Sequence, residues 1–212
     1  MSFFATWYVP AGLLIGLFAA APIGPVNVLV IQRTLQRGAA SAVVLGLGAA
    51  LGDACFAGIA ALGLGFIKAL LNTNQHVLRV AGGLFIIAFG AVLWRQSPHL
   101  DGPLKPLPKA KHLAAAIFIM TLTNPATILW FIAAFAMFRF EALGHATRTG
   151  LIHSGQLIIG VFAGSMIWWV GLSNLVIRWR SNFTDRHLVI MNHSAAAILV
   201  LSGILALLTT WF

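Results

Sequence analysis

Asp53 stands in the run LGLGAALGDACFAG, Leu45 to Gly58, among glycines and alanines with no basic residue near it. The chain carries 13 Lys and Arg but only 4 Asp and Glu, so a carboxyl in that setting needs a reason. Other polar groups share its apolar surroundings. Asn27 follows Gly24 and Pro25 in APIGPVN, Asn124 and Thr127 flank Pro125 in TLTNPAT, and Ser165 closes GVFAGS. A carboxyl can gain and lose a proton or hold an ammonium group, an amide offers donor and acceptor together, and a hydroxyl offers both on one atom. Such a set suits binding of a small polar solute and coupling to protons. The single cysteine, Cys55, cannot form an intrachain disulfide, a CxxC redox pair or a thiolate metal site, and it reads as a small core residue. The residues point to no metal, no cofactor and no enzyme.

The elements that hold these groups must lie in lipid. Hydrophobic residues make up 60% of the chain, charged residues 8%, and mean hydropathy is +0.95. Soluble domains carry about 25% charged residues, so this is an integral membrane protein. The basic residues sit singly or in short groups between apolar runs, which reads as headgroup anchoring and not as a nucleic-acid footprint. No charge precedes Arg33, so the basic start of a cleavable signal peptide is missing and this segment is expected to stay in the mature protein.

A helix crosses the bilayer core with roughly 20 apolar residues. Six windows qualify: Phe3 to Gln32, Ala40 to Ile67, His76 to Trp94, Leu113 to Phe138, Leu151 to Ile177 and Leu188 to Phe212. The third lies between Arg79 and Arg95, which can snorkel. Pro98, Pro103, Pro106 and Pro108 make residues 96–112 a linker between a first half, 1–95, and a second, 113–212. On one side of the membrane fall Arg33, Arg37, Arg95, Lys105, Lys109, Lys111, Arg178, Arg180 and Arg186; on the other, Lys68, Arg79, Arg139 and Arg148. The positive-inside rule therefore puts the linker in the cytoplasm and both termini outside.

The second half lies over the first. Ile23 to Leu29 falls on Thr123 to Leu129, Gly48 to Asp53 on Gly160 to Ser165, and Gly83 and Gly90 on Ala196 and Gly203. A repeat of three helices ends on the face opposite its start, so a second copy is inserted inverted, and inverted repeats with a midplane site mark secondary transporters. The expected fold is all-α: six transmembrane helices in two inverted three-helix repeats. Windows one and four each hold a proline well inside, and proline frees backbone carbonyls that lipid cannot satisfy. Paired breaks at Pro25 and Pro125 point to a binding site, lined by Asn27 on one side and by Thr121, Asn124 and Thr127 on the other. Gly48, Gly52, Gly160 and Gly164, spaced by four, leave grooves where another helix approaches closely. Asp53 sits near the centre of its charge-free window, where insertion of a charge costs about 2.5–3.5 kcal/mol. Its counterpart, Ser165, is uncharged. Trp168 and Trp169 follow deep in the fifth window, placed for core packing or for a cation–π contact with an ammonium group. His153 and His193 read as interfacial.

APIGPVN, RTLQRG, GLGAALGD and TNPATILWF, in this order over nearly the whole chain, resemble the lysine-exporter (LysE/RhtB-type) family of bacterial inner-membrane transporters. The resemblance implies export of amino acids or close relatives, six helices in inverted halves and a homodimer, and it points to Gly24, Pro25, Asn27, Asp53, Asn124 and Pro125. Many relatives carry a lysine after the Asn-Pro of the fourth span; here it is Ala126. That removes an anchor for a substrate carboxylate or a partner for Asp53. The leading reading is an exporter working by alternating access, with protons moving through Asp53. A divalent cation exporter and a non-transporting membrane scaffold are the alternatives. The interior offers one Asp and one Cys, a poor ligand set for either hard or soft cations.

Overall fold

Apolar chain can lie in lipid only where its own N–H and C=O groups bond to one another, which for a single segment means helix. The computed structural model describes residues 7–22, 24–73, 75–95, 108–124, 127, 130–131, 133–135, 147–179 and 185–208. Its helices are α1 (Tyr8–Ala20), α2 (Pro25–Arg37), α3 (Ala39–Thr73), α4 (Gln75–Arg95), α5 (Ala110–Thr123), α6 (Arg148–Arg178) and α7 (Asp185–Leu208). Thr127, Trp130, Phe131 and residues 133–135 are helical as well.

The first and fourth windows are not continuous helices. The first divides into α1 and α2, and α2 runs past Gln32 to Arg37. There Gly38 takes φ 83 and its N–H reaches the Thr34 carbonyl at 2.9 Å; this left-handed cap is open to glycine at little cost. α3 starts at the next residue. The fourth window stops at Thr123, and Asn124 is extended (φ −77, ψ 112). Among the described residues three helical stretches are long and apolar enough to cross a membrane, Ala39–Ala61, Arg148–Arg178 and Asp185–Leu205. Tyr8–Ala20, Gly83–Arg95 and Ala110–Thr123 are shorter apolar helices. Of the linker, residues 96–107 lie outside the described residues, as do Pro125 and Ala126.

Small residues decide which helices meet. α1 lies along α6 in the same direction: a Cβ on Gly12 or Gly16 would overlap the carbonyls of Leu157 or Val161, and one on Gly160 or Gly164 those of Val9 or Leu13. α5 lies along α3 likewise, with Gly48 against Ala114 and Gly52 against Thr121. α3 and α6 run antiparallel at the centre, and α4 pairs antiparallel with α7 through Gly83, Gly90 and Gly203. The fully buried Asn192 of α7 donates to the Leu93 carbonyl in the last turn of α4 at 2.7 Å, where the helix has no donor of its own.

Two apolar clusters fill the bundle. One gathers Ile15, Ala57, Phe131 and Leu157; the other gathers Ile31, Leu45, Ile117 and Leu172. Ile59, Ile159 and Leu205 are more than 60% exposed, as suits side chains that face acyl chains. Cys55 is exposed too, which corrects its reading as a core residue. At about 100° per residue, a side chain two positions past Asp53 points roughly 200° around the helix from it. His153 stacks on Tyr8 at 4.3 Å between centroids and His193 on Trp94 at 4.4 Å.

Candidate functional site

α1 ends with carbonyls that have no helical partner, because the chain leaves the helix at Ala21 and Gly24 is extended (φ −124, ψ −171). Asn27, in the first turn of α2 and 3% exposed, turns back to meet them. Its Nδ2 donates to the Pro22 carbonyl at 2.9 Å and the Ala20 carbonyl at 3.3 Å, and its Oδ1 accepts from Trp168 Nε1 at 3.0 Å. Both amide protons are thereby engaged in holding the break. Pro25 is the first residue of α2, where a missing N–H costs nothing and the fixed φ suits the helix.

Asp53 is 4% exposed on α3, and Ser165 is fully buried opposite it on α6. Ser165 Oγ donates to Asp53 Oδ2 at 2.7 Å, and Trp169 Nε1 donates to Ser165 Oγ at 3.1 Å. The carboxyl is therefore held from one side by a two-step chain of donors. Among the described residues, nothing bonds to Oδ1.

These parts surround one cavity of about 390 Å³, within the roughly 300–1,000 Å³ usual for small-molecule sites. Gly24 and Asn27 line it from the first break, Asp53 and Ala49 from α3, Asn124 and Thr127 from the second break, and Thr121 and Trp169 complete it. Met120, Thr123 and Asn124 are exposed along its rim. No Lys, Arg, His or Glu is among the described residues that line it, and Asp53 is the ionisable side chain among them.

Of the residues singled out from the sequence, the structure thus brings Gly24, Asn27, Asp53, Asn124 and Thr127 to one cavity, with Ser165 directly behind the carboxyl. Gly48, Gly52, Gly160 and Gly164 lie between helices instead. Three features were not anticipated. Trp168 and Trp169 each bond to a central group; their places three and four residues after Ser165 put them on its face of α6, a signal that was available. Trp130, 8% exposed, donates to the Ile15 carbonyl at 3.3 Å and so ties the chain after Asn124 to α1; no local pattern announces that contact. Arg33, counted above as a headgroup anchor, is 6% exposed and donates to Ser41 Oγ at 2.7 Å and to the Pro108 carbonyl at 2.9 Å. Among the described residues, no three His, Cys, Asp or Glu side chains come together.

An uncharacterized membrane protein of Escherichia coli K12, YahN, is 30% identical over 168 residues, covering 76% of this chain and 72% of its own. The threonine efflux proteins of Salmonella typhi and Escherichia coli K12 are each 27% identical over 133 residues, 60% of this chain and 65% of theirs. No solved structure matches. Residues 17–210 match the LysE type translocators, a span that takes in both breaks and the whole cavity: the chain belongs to that family of multi-pass membrane transporters and is not an enzyme.

Proposed function

We propose that the protein exports amino acids by alternating access, with the cavity at Asp53 as the binding site and a proton returning through Asp53 for each substrate released. The observation that carries the reading is the placement of one carboxyl, with one oxygen unengaged among the described residues, on a cavity walled by two helix breaks. A zwitterion needs an anion for its ammonium group and donors for its carboxylate. Asp53 Oδ1 supplies the first. The first turn of α2 lines the cavity at Gly24, Val26 and Asn27, and its N–H groups and positive dipole end suit the second, as half-helix ends do in other transporters. With no basic side chain among the described residues lining the cavity, a helix end is the fitting partner for the substrate carboxylate where many relatives carry a lysine. The names of the threonine efflux relatives support an amino acid as cargo.

Protonation at the outer face neutralises Asp53 and removes its attraction for the ammonium group, so substrate leaves. Loss of that proton to the cytoplasm restores the site. One zwitterion outward against one proton inward carries one positive charge in, so both the pH gradient and the potential drive export.

The inverted-repeat reading has support of its own. Exchanging the halves sends the α1–α6 contact onto α5–α3, both pairs running in the same direction, and Gly90 against Ala196 onto Gly203 against Gly83. The balance of basic residues supports a cytoplasmic linker and outer termini in the inner membrane.

The test is counterflow in proteoliposomes with labelled threonine and a panel of amino acids. The wild type should exchange at least one and accumulate it against an imposed pH gradient; Asp53→Asn, which mimics the protonated state that releases substrate, should exchange far more slowly, and the exchange that remains should not respond to the gradient. A variant with unaltered pH response refutes coupling through Asp53, and a wild type that exchanges no amino acid refutes the substrate class.

A further inference from the structure

We infer that Trp169 is the wall that limits the length of the substrate side chain, an inference that rests on the amino-acid export reading above. An amino acid held by its ammonium group at Asp53 and its carboxylate at the first turn of α2 has one substituent left to place. What bounds the remaining space differs from side to side. Toward α5 the rim is made by exposed residues, Met120 among them, whose flexible side chain yields readily. Toward α6 the boundary is Trp169, 2% exposed overall and yet part of the cavity wall.

The indole of Trp169 cannot retreat. Its N–H is bonded to Ser165 Oγ at 3.1 Å, and Ser165 is bonded in turn to Asp53, so the ring is fixed relative to the carboxyl that binds substrate. Behind it lies Gly46 of α3, so close that a Cβ there would overlap the base of the Trp169 side chain and lie 3.1 Å from its Cδ1. The packed cluster around Leu45 and Leu172, to which Trp169 belongs, closes the remaining side. A rigid aromatic surface two hydrogen bonds from the ammonium site discriminates by length, because a methylene that does not fit cannot be accommodated by a shift of the wall. In fixed pockets one methylene changes the rate by about 10- to 200-fold.

The test measures competition by alanine, 2-aminobutyrate, norvaline and norleucine against labelled threonine counterflow in proteoliposomes of the full-length protein. In the wild type competition should fall along the series. Trp169→Ala should raise norleucine relative to alanine at least tenfold, Trp169→Phe by less, and Trp168→Phe should leave the ratio where it was. A general loss of activity does not change a ratio between competitors, so a merely structural role predicts no shift. If Trp169→Ala does not fold, Trp169→Leu and Trp169→Phe carry the test, and ratios equal to wild type in these variants overturn the inference. Wild-type protein that exchanges no amino acid overturns the export reading, and the wall with it; wild-type exchange with an unmoved ratio overturns the wall alone.

Discussion

Gly164→Ala tests the packing of α1 on α6, and its size follows from the geometry. A Cβ at Gly164 overlaps the backbone carbonyl of Leu13, while Gly12, Gly16 and Gly160 make the reciprocal approaches along the same crossing. Backbone atoms cannot rotate away as a side-chain tip can. Carbon and carbonyl oxygen come into contact at about 3.3 Å, so the two helices must separate by on the order of 1 Å along a crossing that includes Ile15, Leu157 and Val161. Overpacking of this kind costs about 1–3 kcal/mol, and the better helix propensity of alanine returns about 1 kcal/mol, leaving a net loss of up to about 2 kcal/mol. For a chain of this length each kcal/mol moves the midpoint by about 2–4 °C, hence a fall of up to about 8 °C.

The control lies on the same helix. A Cβ on Gly171 meets nothing within 4 Å, so Gly171→Ala keeps the propensity gain without the clash and should melt about 2–4 °C above wild type. The assay is the monodisperse fraction by fluorescence-detected size exclusion after heating detergent-solubilised protein. Gly164→Ala melting within about 1 °C of Gly171→Ala would refute backbone contact between α1 and α6. It would also remove the argument that glycines spaced by four select the partner helix.

Two further perturbations address the break and the end of α2. Asn27→Ala strands the Ala20 and Pro22 carbonyls and the Trp168 indole N–H; at about 1–3 kcal/mol for each buried polar group left unmet, counterflow should fall at least tenfold. Asn27→Asp, which has no donor when ionised, should not restore it, whereas an active Asn27→Asp would mean that the break does not depend on the amide. Arg33→Gln removes the charged fork that joins Ser41 to Pro108, and Lys is a poor substitute for a fork spanning two acceptors. Hydrogen bonds to charged groups contribute about 1.5–3 kcal/mol, so trypsin should cut at the neighbouring exposed Lys109 and Lys111 about tenfold faster or more in both Arg33→Gln and Arg33→Lys; wild-type cleavage rates would show that the fork bears no load.

The sequence was most legible where one force acts alone. The first interruption lies just before Pro25, and α5 stops at Thr123, two positions before Pro125, in keeping with a lost N–H ending the hydrogen-bond ladder, and charges marked the limits of the apolar runs, since lipid excludes them. Helix ends were read less well for a related reason: hydropathy reports depth in hydrocarbon, not where a helix stops. The second window ended at Ile67 before Lys68, yet α3 continues to Thr73, because lysine ends an apolar run without disfavouring helix. Side-chain direction was legible only by periodicity, which suffices to turn Cys55 away from Asp53 and Trp168 and Trp169 toward Ser165. The bond from Trp130 to Ile15 spans 115 residues and depends on how two broken segments lean together, which no local pattern encodes.

The meeting of Asp53 with Ser165 bears on mechanism through the proposed repeat. Laying Gly48–Asp53 on Gly160–Ser165 makes these two residues counterparts, 112 positions apart, and their side chains touch at 2.7 Å. Counterparts under a two-fold rotation can touch each other only at the axis, so on this reading the carboxyl lies where the halves exchange roles. Alternating access by inverted repeats amounts to such an exchange: the first half adopts the arrangement of the second and the reverse. A group away from the axis would sit at different depths from the opening in the two states. A group on it keeps the same relation to both openings, so one carboxyl can take a proton from one side and give it to the other without moving far. That accounts for a single acidic residue opposite a serine: a second carboxyl on the axis would repel the first at 3 Å, whereas a hydroxyl can donate to the charged form and accept from the protonated one. Ser165→Ala should therefore slow the pH-driven step more than substrate exchange at equal pH on both sides. Equal losses in the two assays would make Ser165 a packing residue and take the coupling step away from the axis.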